Sequence, residues 1–190
     1  TAFDEAGFVS FERRHTMDYG VGVVAQTHDV VVGDVNGDGR LDIVASEYGD
    51  ITDDFDSHTC IFINTGTGGN GDFDFAAPMI LSGDGYEGFV QLQDINGDGR
   101  LDIVTSRSNY NQMGVYLNTT ERGIVSFAPK VILDARVEPR PEFADFNGDG
   151  LLDVVSSGDN RDVHIYYNRS THDALALELA LTLQAGGVED

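Results

Sequence analysis

Three short segments of the chain carry oxygen-bearing side chains at the same spacing. They are Asp34-Val-Asn-Gly-Asp-Gly-Arg-Leu-Asp42, Asp94-Ile-Asn-Gly-Asp-Gly-Arg-Leu-Asp102 and Asp145-Phe-Asn-Gly-Asp-Gly-Leu-Leu-Asp153. Each segment places carboxylate or amide oxygens at positions 1, 3, 5 and 9 of a tight glycine-containing loop. A hard Ca²⁺ ion requires such an oxygen-rich arrangement at short range. Three copies with similar flanks in 190 residues make chance a poor explanation.

Each loop is therefore expected to bind one Ca²⁺ ion, which gives three sites. Four side chains and the backbone carbonyl at position 7 would supply the ligands, and the glycine at position 6 permits the sharp turn. The alternative is that these segments are simple Asp-Gly turns. The expected side-chain ligands are Asp34, Asn36, Asp38, Asp42, Asp94, Asn96, Asp98, Asp102, Asp145, Asn147, Asp149 and Asp153, and the expected carbonyl ligands are those of Arg40, Arg100 and Leu151.

The residues around the loops indicate what kind of site this is. An EF-hand loop requires a bidentate Glu at position 12 and a helix on each side. Position 12 is instead Ala45, Thr105 or Ser156. Alternating or apolar runs typical of strands precede and follow the loops. We therefore expect each ion to lie in a turn between two strands, where its role is structural rather than regulatory.

The motif Asp-x-Asn-Gly-Asp-Gly-x-x-Asp followed by an apolar strand resembles the FG-GAP and VCBS repeats of integrin-like β-propellers. The resemblance covers about residues 8 to 183 and is most specific at the three loops. The chain has no literal Phe-Gly…Gly-Ala-Pro signature, so the VCBS-like form fits better than the integrin form. The resemblance implies an all-β fold of four-stranded propeller blades in an extracellular or cell-surface protein.

The loops are spaced 60 and then 51 residues apart, a period that indicates blades or a solenoid. In the first repeat, the pattern predicts strands over residues 28–35, 41–47 and 60–64. We predict one repeat domain over residues 1–190. Its parts are an outer strand of a preceding blade with its connection at 8–27, three blades at 28–82, 83–134 and 135–184, and a tail at 185–190.

Proline marks the outermost strand of two repeats. Residues 75–81 and 127–133 share a Phe, a nearby Pro and an apolar end, and Pro in a sheet belongs on an edge strand. Residues 11–17 have the same spacing without the proline. Leucines alternate from Leu175 to Leu183, which favours an outer strand, although a C-terminal helix is the alternative because the residues around them are good helix formers.

The predicted total is about thirteen strands, or three blades and one extra strand. Known propellers have about four to eight blades, so this chain does not close a ring alone. We expect it either to be part of a longer propeller chain or to complete a ring by self-association, because an open array would leave sheet edges exposed.

Charge and composition exclude several classes of partner. The formal net charge is −22 and the pI is about 4.2, so nucleic acid and anionic membrane surfaces would repel the protein. No stretch approaches the roughly 20 apolar residues of a membrane span. The single cysteine, Cys60, excludes an internal disulfide framework and lies in an apolar run typical of a buried strand; a functional or intermolecular thiol is the alternative.

The two ends of the predicted blades have different candidate roles. The loops are expected beside the turns after the third strands, where Asn118 and Asn168 begin glycosylation sequons; the alternative is that these asparagines are simply turn residues. The opposite end is the candidate ligand face. Its aromatic and polar residues could stack on and hydrogen-bond a sugar or peptide; they are Tyr48, Tyr86, Arg107, Asn109 and Tyr110.

No nucleophile elbow, phosphate loop or HExxH motif occurs, and the five histidines lack metal-ligand spacing. The absence of these motifs disfavours an enzyme but leaves the question open. We predict a secreted, calcium-binding module that binds a carbohydrate or protein partner, as in cell adhesion. The alternatives are a propeller segment of a secreted carbohydrate-active enzyme, of the polysaccharide lyase or sugar dehydratase type, and a purely structural surface-assembly repeat. Fold and loops are common to all three.

Overall fold

The structure is a computed structural model, and it describes residues 2–3, 9–10, 26–48, 57–67, 74–82, 88–107, 112–133, 140–157, 162–171 and 174–184. All secondary-structure elements within these ranges are strands. No helix in this part of the chain is long and apolar enough to span a membrane. The strands are β1 (Ala2–Phe3), β2 (Val9–Ser10), β3 (Gln26–Gly33), β4 (Asp42–Tyr48), β5 (His58–Phe62), β6 (Met79–Ser82), β7 (Phe89–Gln93), β8 (Asp102–Arg107), β9 (Gln112–Tyr116), β10 (Val131–Leu133), β11 (Glu142–Ala144), β12 (Asp153–Ser157), β13 (Asp162–Asn168) and β14 (Leu177–Gln184).

The strands form three four-stranded antiparallel sheets in simple up-and-down order. Repeat 1 is β3-β4-β5-β6, repeat 2 is β7-β8-β9-β10 and repeat 3 is β11-β12-β13-β14. A separate two-stranded ribbon pairs β1 with β2, which the sequence pattern did not predict. The all-β prediction with four strands per repeat is confirmed. The sheets are consistent with propeller blades, whereas closure into a ring stays a prediction.

The outer strands are shorter than predicted because of their prolines. β6 begins at Met79, directly after Pro78, and Phe75 makes only an isolated bridge to Asn64. Phe127 likewise bridges Asn118 before β10 begins. Proline has no N–H for the ladder, so continuous pairing starts only after it. The predicted strand at residues 11–17 lies outside the described residues.

The alternating leucines near the C-terminal end form a strand and not the alternative helix. β14 pairs with β13 along seven residue pairs, with a bulge between Ile165 and Tyr166. A period of two places side chains on opposite faces of a sheet, and the helix propensity of the intervening residues is too small to override that pairing.

Apolar side chains fill the two junctions between neighbouring sheets. Between repeats 1 and 2, Val44 and Ile61 pack with Ile103, and all three are fully buried. Between repeats 2 and 3, Val115 packs with Val154 in the same way. Full burial of one such side chain stabilises a protein by about 1.5–3 kcal/mol. The sheets are therefore stacked face to face, and the strands of the middle sheet, repeat 2, alternate their side chains between the two junctions.

Cys60 lies on the other face of the repeat 1 sheet with Ala45 and Phe62, and all three are buried. Burial, with a smaller contribution from neighbouring Glu47, raises the pKa of the Cys60 thiol to about 12. The prediction of a buried strand cysteine is confirmed. A protonated, buried thiol is a weak nucleophile, which disfavours the alternative of a functional thiol.

Candidate metal centre

The three oxygen-rich segments are the connections between the first and second strand of each sheet. We call them loop 1 (residues 34–41), loop 2 (94–101) and loop 3 (145–152). Gly37 and Gly39 of loop 1 have φ angles of 76° and 84°, and the equivalent glycines of the other loops are similar. Residues with side chains rarely adopt this left-handed conformation. Positions 4 and 6 both require glycine, whereas the sequence argument had explained only position 6.

The aspartate at position 1 organises each loop by accepting hydrogen bonds from its backbone. In loop 1, Asp34 Oδ1 accepts the N–H groups of Gly37 at 2.7 Å and Asp38 at 3.1 Å, and Oδ2 accepts that of Gly39 at 2.7 Å. Asp94 and Asp145 accept equivalent bonds in loops 2 and 3. These bonds satisfy amides that the tight turn would otherwise leave without partners.

The aspartate at position 9 ties each loop to the turn that follows the third strand. Asp102 accepts the backbone N–H of Ile95 at 3.0 Å and that of Asn118 at 2.8 Å, one on each carboxylate oxygen. Asp42 and Asp153 make the same pair of bonds in their repeats. All three side chains are fully buried. The predicted proximity of the loops to the turns after the third strands is thus observed.

Burial raises the pKa of the position 9 carboxylate in loops 1 and 2. It raises the pKa of Asp102 to about 6, against the two N–H bonds that lower it, and nearby Asp98 and Asp94 add to the rise. Burial raises the pKa of Asp42 in the same way. A buried carboxylate surrounded by further carboxylates favours any neighbouring positive charge.

The metal-free protein should therefore be more stable at pH 5 than at pH 7. The folded-state pKa of Asp102 is raised, so its stabilising contribution is present below pH 4 and is lost as the pH rises through 6. A shift of this size corresponds to at most about 3 kcal/mol. Thermal melts of metal-stripped protein across this range would measure it.

The Asp102→Asn variant is the control, because it cannot titrate and its melting temperature should vary less with pH. A melting temperature of the metal-stripped wild-type protein that increases from pH 5 to pH 7 would contradict the prediction.

Positions 3, 5 and 7 are linked on the outside of the loop. Asn36 donates from Nδ2 to Asp38 Oδ2 at 2.9 Å, and Asp38 Oδ1 accepts the backbone N–H of Arg40 at 2.9 Å. The Arg40 guanidinium lies 2.5 Å from Asp38 Oδ2 and its Nε donates to the Asn64 carbonyl at 2.8 Å. Arg100 repeats these contacts in loop 2.

These arginine side chains were not predicted, because position 7 was expected to contribute only its backbone carbonyl. Loop 3 has Leu151 at that position, and its arginine comes from elsewhere. Arg169, the residue after Asn168, lies 3.7 Å from Asp149 Oδ2 and also pairs with Glu178 at 2.9 Å. Each loop thus has one guanidinium beside its position 5 carboxylate. In the sequence, the only signal of this contact is that loop 3 lacks an arginine at position 7 while an arginine follows Asn168.

The donor chemistry of each loop fits Ca²⁺, which prefers carboxylate, amide and carbonyl oxygens. Among the described residues, no three His, Cys, Asp or Glu side chains converge as a metal centre. The loop aspartates accept backbone N–H groups instead, and oxygens that accept one such bond, such as Asp34 Oδ2 and Asp38 Oδ1, keep a further lone pair. The residues that would hold the ion remain those at positions 1, 3, 5, 7 and 9.

The asparagines after the third strands connect neighbouring repeats. Asn118 is 1% exposed, and its Nδ2 donates to Leu101 of its own loop at 2.9 Å and to Val35 of loop 1 at 2.8 Å. Asn168 makes the equivalent bonds to Leu152 at 3.0 Å and Ile95 at 2.8 Å. We call each pair of bonds an asparagine clasp. It joins loop 1 to repeat 2 and loop 2 to repeat 3.

The clasp bears directly on the two sequons, since Nδ2 is the atom to which an N-linked glycan would attach. Both amide hydrogens of Asn118 and Asn168 are already donated, and both side chains are buried. We expect both sites to be unmodified in folded protein secreted from a eukaryotic cell. Intact-mass spectrometry would measure this, and a glycan on either residue of the folded protein would contradict it.

Part of the candidate ligand face lies within the described residues. Tyr48 and Arg107 are the last residues of β4 and β8, so both lie at the end opposite the loops. Tyr86, Asn109 and Tyr110 lie outside the described residues.

This end of the sheets also brings together a group that the sequence argument did not name. Arg140 before β11 lies over the Phe89 ring at 4.4 Å and reaches Asp29 Oδ1 at 3.3 Å, while His28 contacts the Phe89 ring edge-on at 5.2 Å. Three repeats thus contribute to one cluster, which we call the opposite-end cluster (His28, Asp29, Phe89 and Arg140).

Comparison with known families bears on the second and third loops. Residues 94–156 match the family model described as an FG-GAP-like repeat, and this segment begins at Asp94 and extends beyond Asp153. A search of the curated proteins found no match. Residues 94–156 therefore match the family that the loop motif predicted.

Proposed function

We propose that this chain is a calcium-stabilised repeat module of an extracellular or cell-surface protein, and that it binds a carbohydrate or protein partner. One observation carries the proposal: the same five-position oxygen donor set occurs in three loops at one end of three stacked sheets. The FG-GAP-like match over loops 2 and 3 supports it. Millimolar extracellular calcium would suit sites of moderate affinity.

A bound Ca²⁺ ion would supply positive charge to a group of carboxylates that otherwise repel one another. The chain's own residues do the remaining work. Position 1 shapes the loop, and buried Asp102 holds the loop to the turn after β9. The arginine at position 7 compensates part of the charge at position 5. Metal binding would thereby be coupled to the packing of one repeat on the next.

The opposite end of the sheets is the proposed ligand face. Phe89 and His28 supply aromatic surface, and Arg140, whose side chain is 63% exposed, supplies hydrogen-bond donors. Tyr48 and Arg107 end their strands at the same level. Aromatic rings stack on the apolar faces of sugars, and a guanidinium group donates hydrogen bonds in a fixed planar fork. A carbohydrate or peptide segment without strong negative charge is therefore the preferred partner class, because the net charge of −22 would repel an acidic polymer.

Calorimetric titration of metal-stripped protein with CaCl₂ tests the metal proposal. We expect three sites for the wild-type chain and two for Asp149→Ala, which removes one ligand from the exposed loop 3. Glu121→Ala changes an exposed acid outside the loops and should leave three sites. Absence of calcium binding, or equal effects of the two variants, would overturn the proposal.

Retention on immobilised polysaccharides tests the ligand face. We expect retention in calcium that Arg140→Ala weakens and that Arg122→Ala, at a turn on the loop end, leaves unchanged. Turnover of the polysaccharide would favour the carbohydrate-active enzyme segment. Neither retention nor turnover, with no protein partner, would favour a purely structural repeat.

A further inference from the structure

The free face of repeat 3 matches faces that are covered in the other repeats. Val104 and Val115 of repeat 2 are 2% and 0% exposed because repeat 3 packs on them. Val155 and Ile165 occupy the same positions in repeat 3 and are only partly buried. On the neighbouring outer strand, Leu181 and Leu183 are 47% and 48% exposed. Repeat 3 thus presents an apolar face of the kind that binds another sheet in this chain.

The loop end of the same face carries half of an asparagine clasp. Val35 and Ile95, at position 2 of loops 1 and 2, are 2% and 1% exposed, and their carbonyls accept the amide of the next repeat's asparagine. Phe146 holds position 2 of loop 3 and is 54% exposed. Its carbonyl stands where a further asparagine would donate.

Repeat 1 carries the complementary half at its opposite face. Asn64 Nδ2 donates to the carbonyl of Leu41 in its own loop at 3.1 Å, as Asn118 Nδ2 does to that of Leu101. Within the described ranges, this amide has no acceptor in a second repeat. The side chains of Leu41, Val30 and Val32 are 61%, 53% and 56% exposed.

In repeat 2 the equivalent residues are packed on the preceding sheet. Leu101 and Leu92 lie so close to Gly33 that a Cβ atom there would be 3.0 and 2.7 Å from their methyl carbons. Val90 is 2% exposed. The middle of the repeat 1 face, at Ala45, Cys60 and Phe62, is already buried. A partner would therefore contact its inner strand and loop edge.

We propose that a second copy of this chain docks head to tail, with the repeat 3 face of one copy against the exposed edge of repeat 1 of the other. Asn64 of one copy would then donate to the Phe146 carbonyl of the other. The contact would repeat the asparagine clasp and the inner-strand packing of the two junctions within the chain, but not their centre, because Ala45, Cys60 and Phe62 are already buried. Two such junctions would close a ring of six sheets, which is within the range of about four to eight known for propellers.

Molar mass from light scattering tests the proposal independently of ligand binding. We expect a species of twice the 20.6 kDa chain mass. Each copy carries a net charge of −22, so added salt or calcium should favour the dimer. A mass of one chain at every protein concentration overturns the proposal and would leave the two surfaces to another protein or to further repeats of a longer chain.

Variants on the two surfaces make the test specific. Phe146→Asp and Val32→Asp should each abolish the dimer, whereas an equal mixture of both should form a one-to-one pair, because one intact junction remains. Ile124→Asp, at a side chain that is 74% exposed on a hairpin, is the control and should stay dimeric. A dimer of either surface variant alone, or a mixture that stays monomeric, contradicts the head-to-tail contact.

A milder substitution tests the same contact without the risk that an introduced charge causes misfolding. Asn64→Ala should weaken dimerisation by roughly tenfold, since it removes one hydrogen bond from each junction. Its melting curve as a monomer should match that of wild type within a few degrees. Unchanged dimer affinity in this variant would exclude the clasp between copies.

Discussion

Removing calcium should lower the melting temperature of this protein by roughly 10–30 °C. If each loop binds calcium with a dissociation constant of about 10–100 μM, then about 1 mM calcium stabilises the folded state by about 1.4–2.7 kcal/mol per site. Three sites together would contribute about 4–8 kcal/mol. In a domain of about this size, each kcal/mol corresponds to about 2–4 °C.

The structure gives the physical reason for so large an effect. Each loop, together with the first residue of the strand that follows it, holds three aspartates within nine residues, and the one at position 9 is fully buried. Arg40, Arg100 and Arg169 each place one guanidinium beside a loop, which compensates only part of that charge. A divalent cation would remove the remaining repulsion.

Thermal melts in calcium and in EGTA, followed by circular dichroism, would measure this effect. Magnesium at the same concentration is the control for ionic strength, and it should restore little stability because it demands a smaller octahedral site. Asp149→Ala should reduce the calcium-induced shift by about a third, as expected for one of three similar sites. Identical melting curves with and without chelator would rule out the calcium assignment.

Replacing Asn118 with alanine should cost about 2–6 kcal/mol of unfolding free energy. The substitution leaves the carbonyls of Val35 and Leu101 without their buried donor, and each unsatisfied group costs about 1–3 kcal/mol. It also removes the acceptor for the Thr120 amide. The expected loss exceeds that of an ordinary surface substitution because the side chain is 1% exposed and connects two repeats.

Asn64→Ala is the matched control, since this residue occupies the same position in repeat 1 but clasps one carbonyl, that of Leu41, in an exposed setting. At protein concentrations where both variants are monomers, its cost should be about 1 kcal/mol or less. Urea unfolding in calcium would compare the two variants at equal slope. Expression in bacteria keeps glycosylation out of the comparison. Equal losses at Asn64 and Asn118 would show that the bond between repeats contributes nothing.

The loops and the strands beside them could be predicted from sequence because their determining interactions are local. Asp34 bonds to amides three to five residues away, and Gly37 and Gly39 supply the φ angles that such a turn requires. The strands follow from a period of two in apolar residues, which is also a short-range signal. Their ends shifted by a few residues where Pro78 delayed the pairing of β6.

Only the tertiary structure revealed how the repeats are joined. Asn118 meets Val35 across 83 residues and Arg140 meets Asp29 across 111, and no local pattern announces such pairs. The sequon at Asn118 left open a surface glycan or a plain turn residue, and only the stacking of the sheets shows that this side chain is buried. Arg169 reaches Asp149 of loop 3 because β13 pairs with β12, which places the turn after β13 beside loop 3. Local spacing fixes the conformation of a turn, but the partners of a side chain across a junction depend on how whole sheets pack.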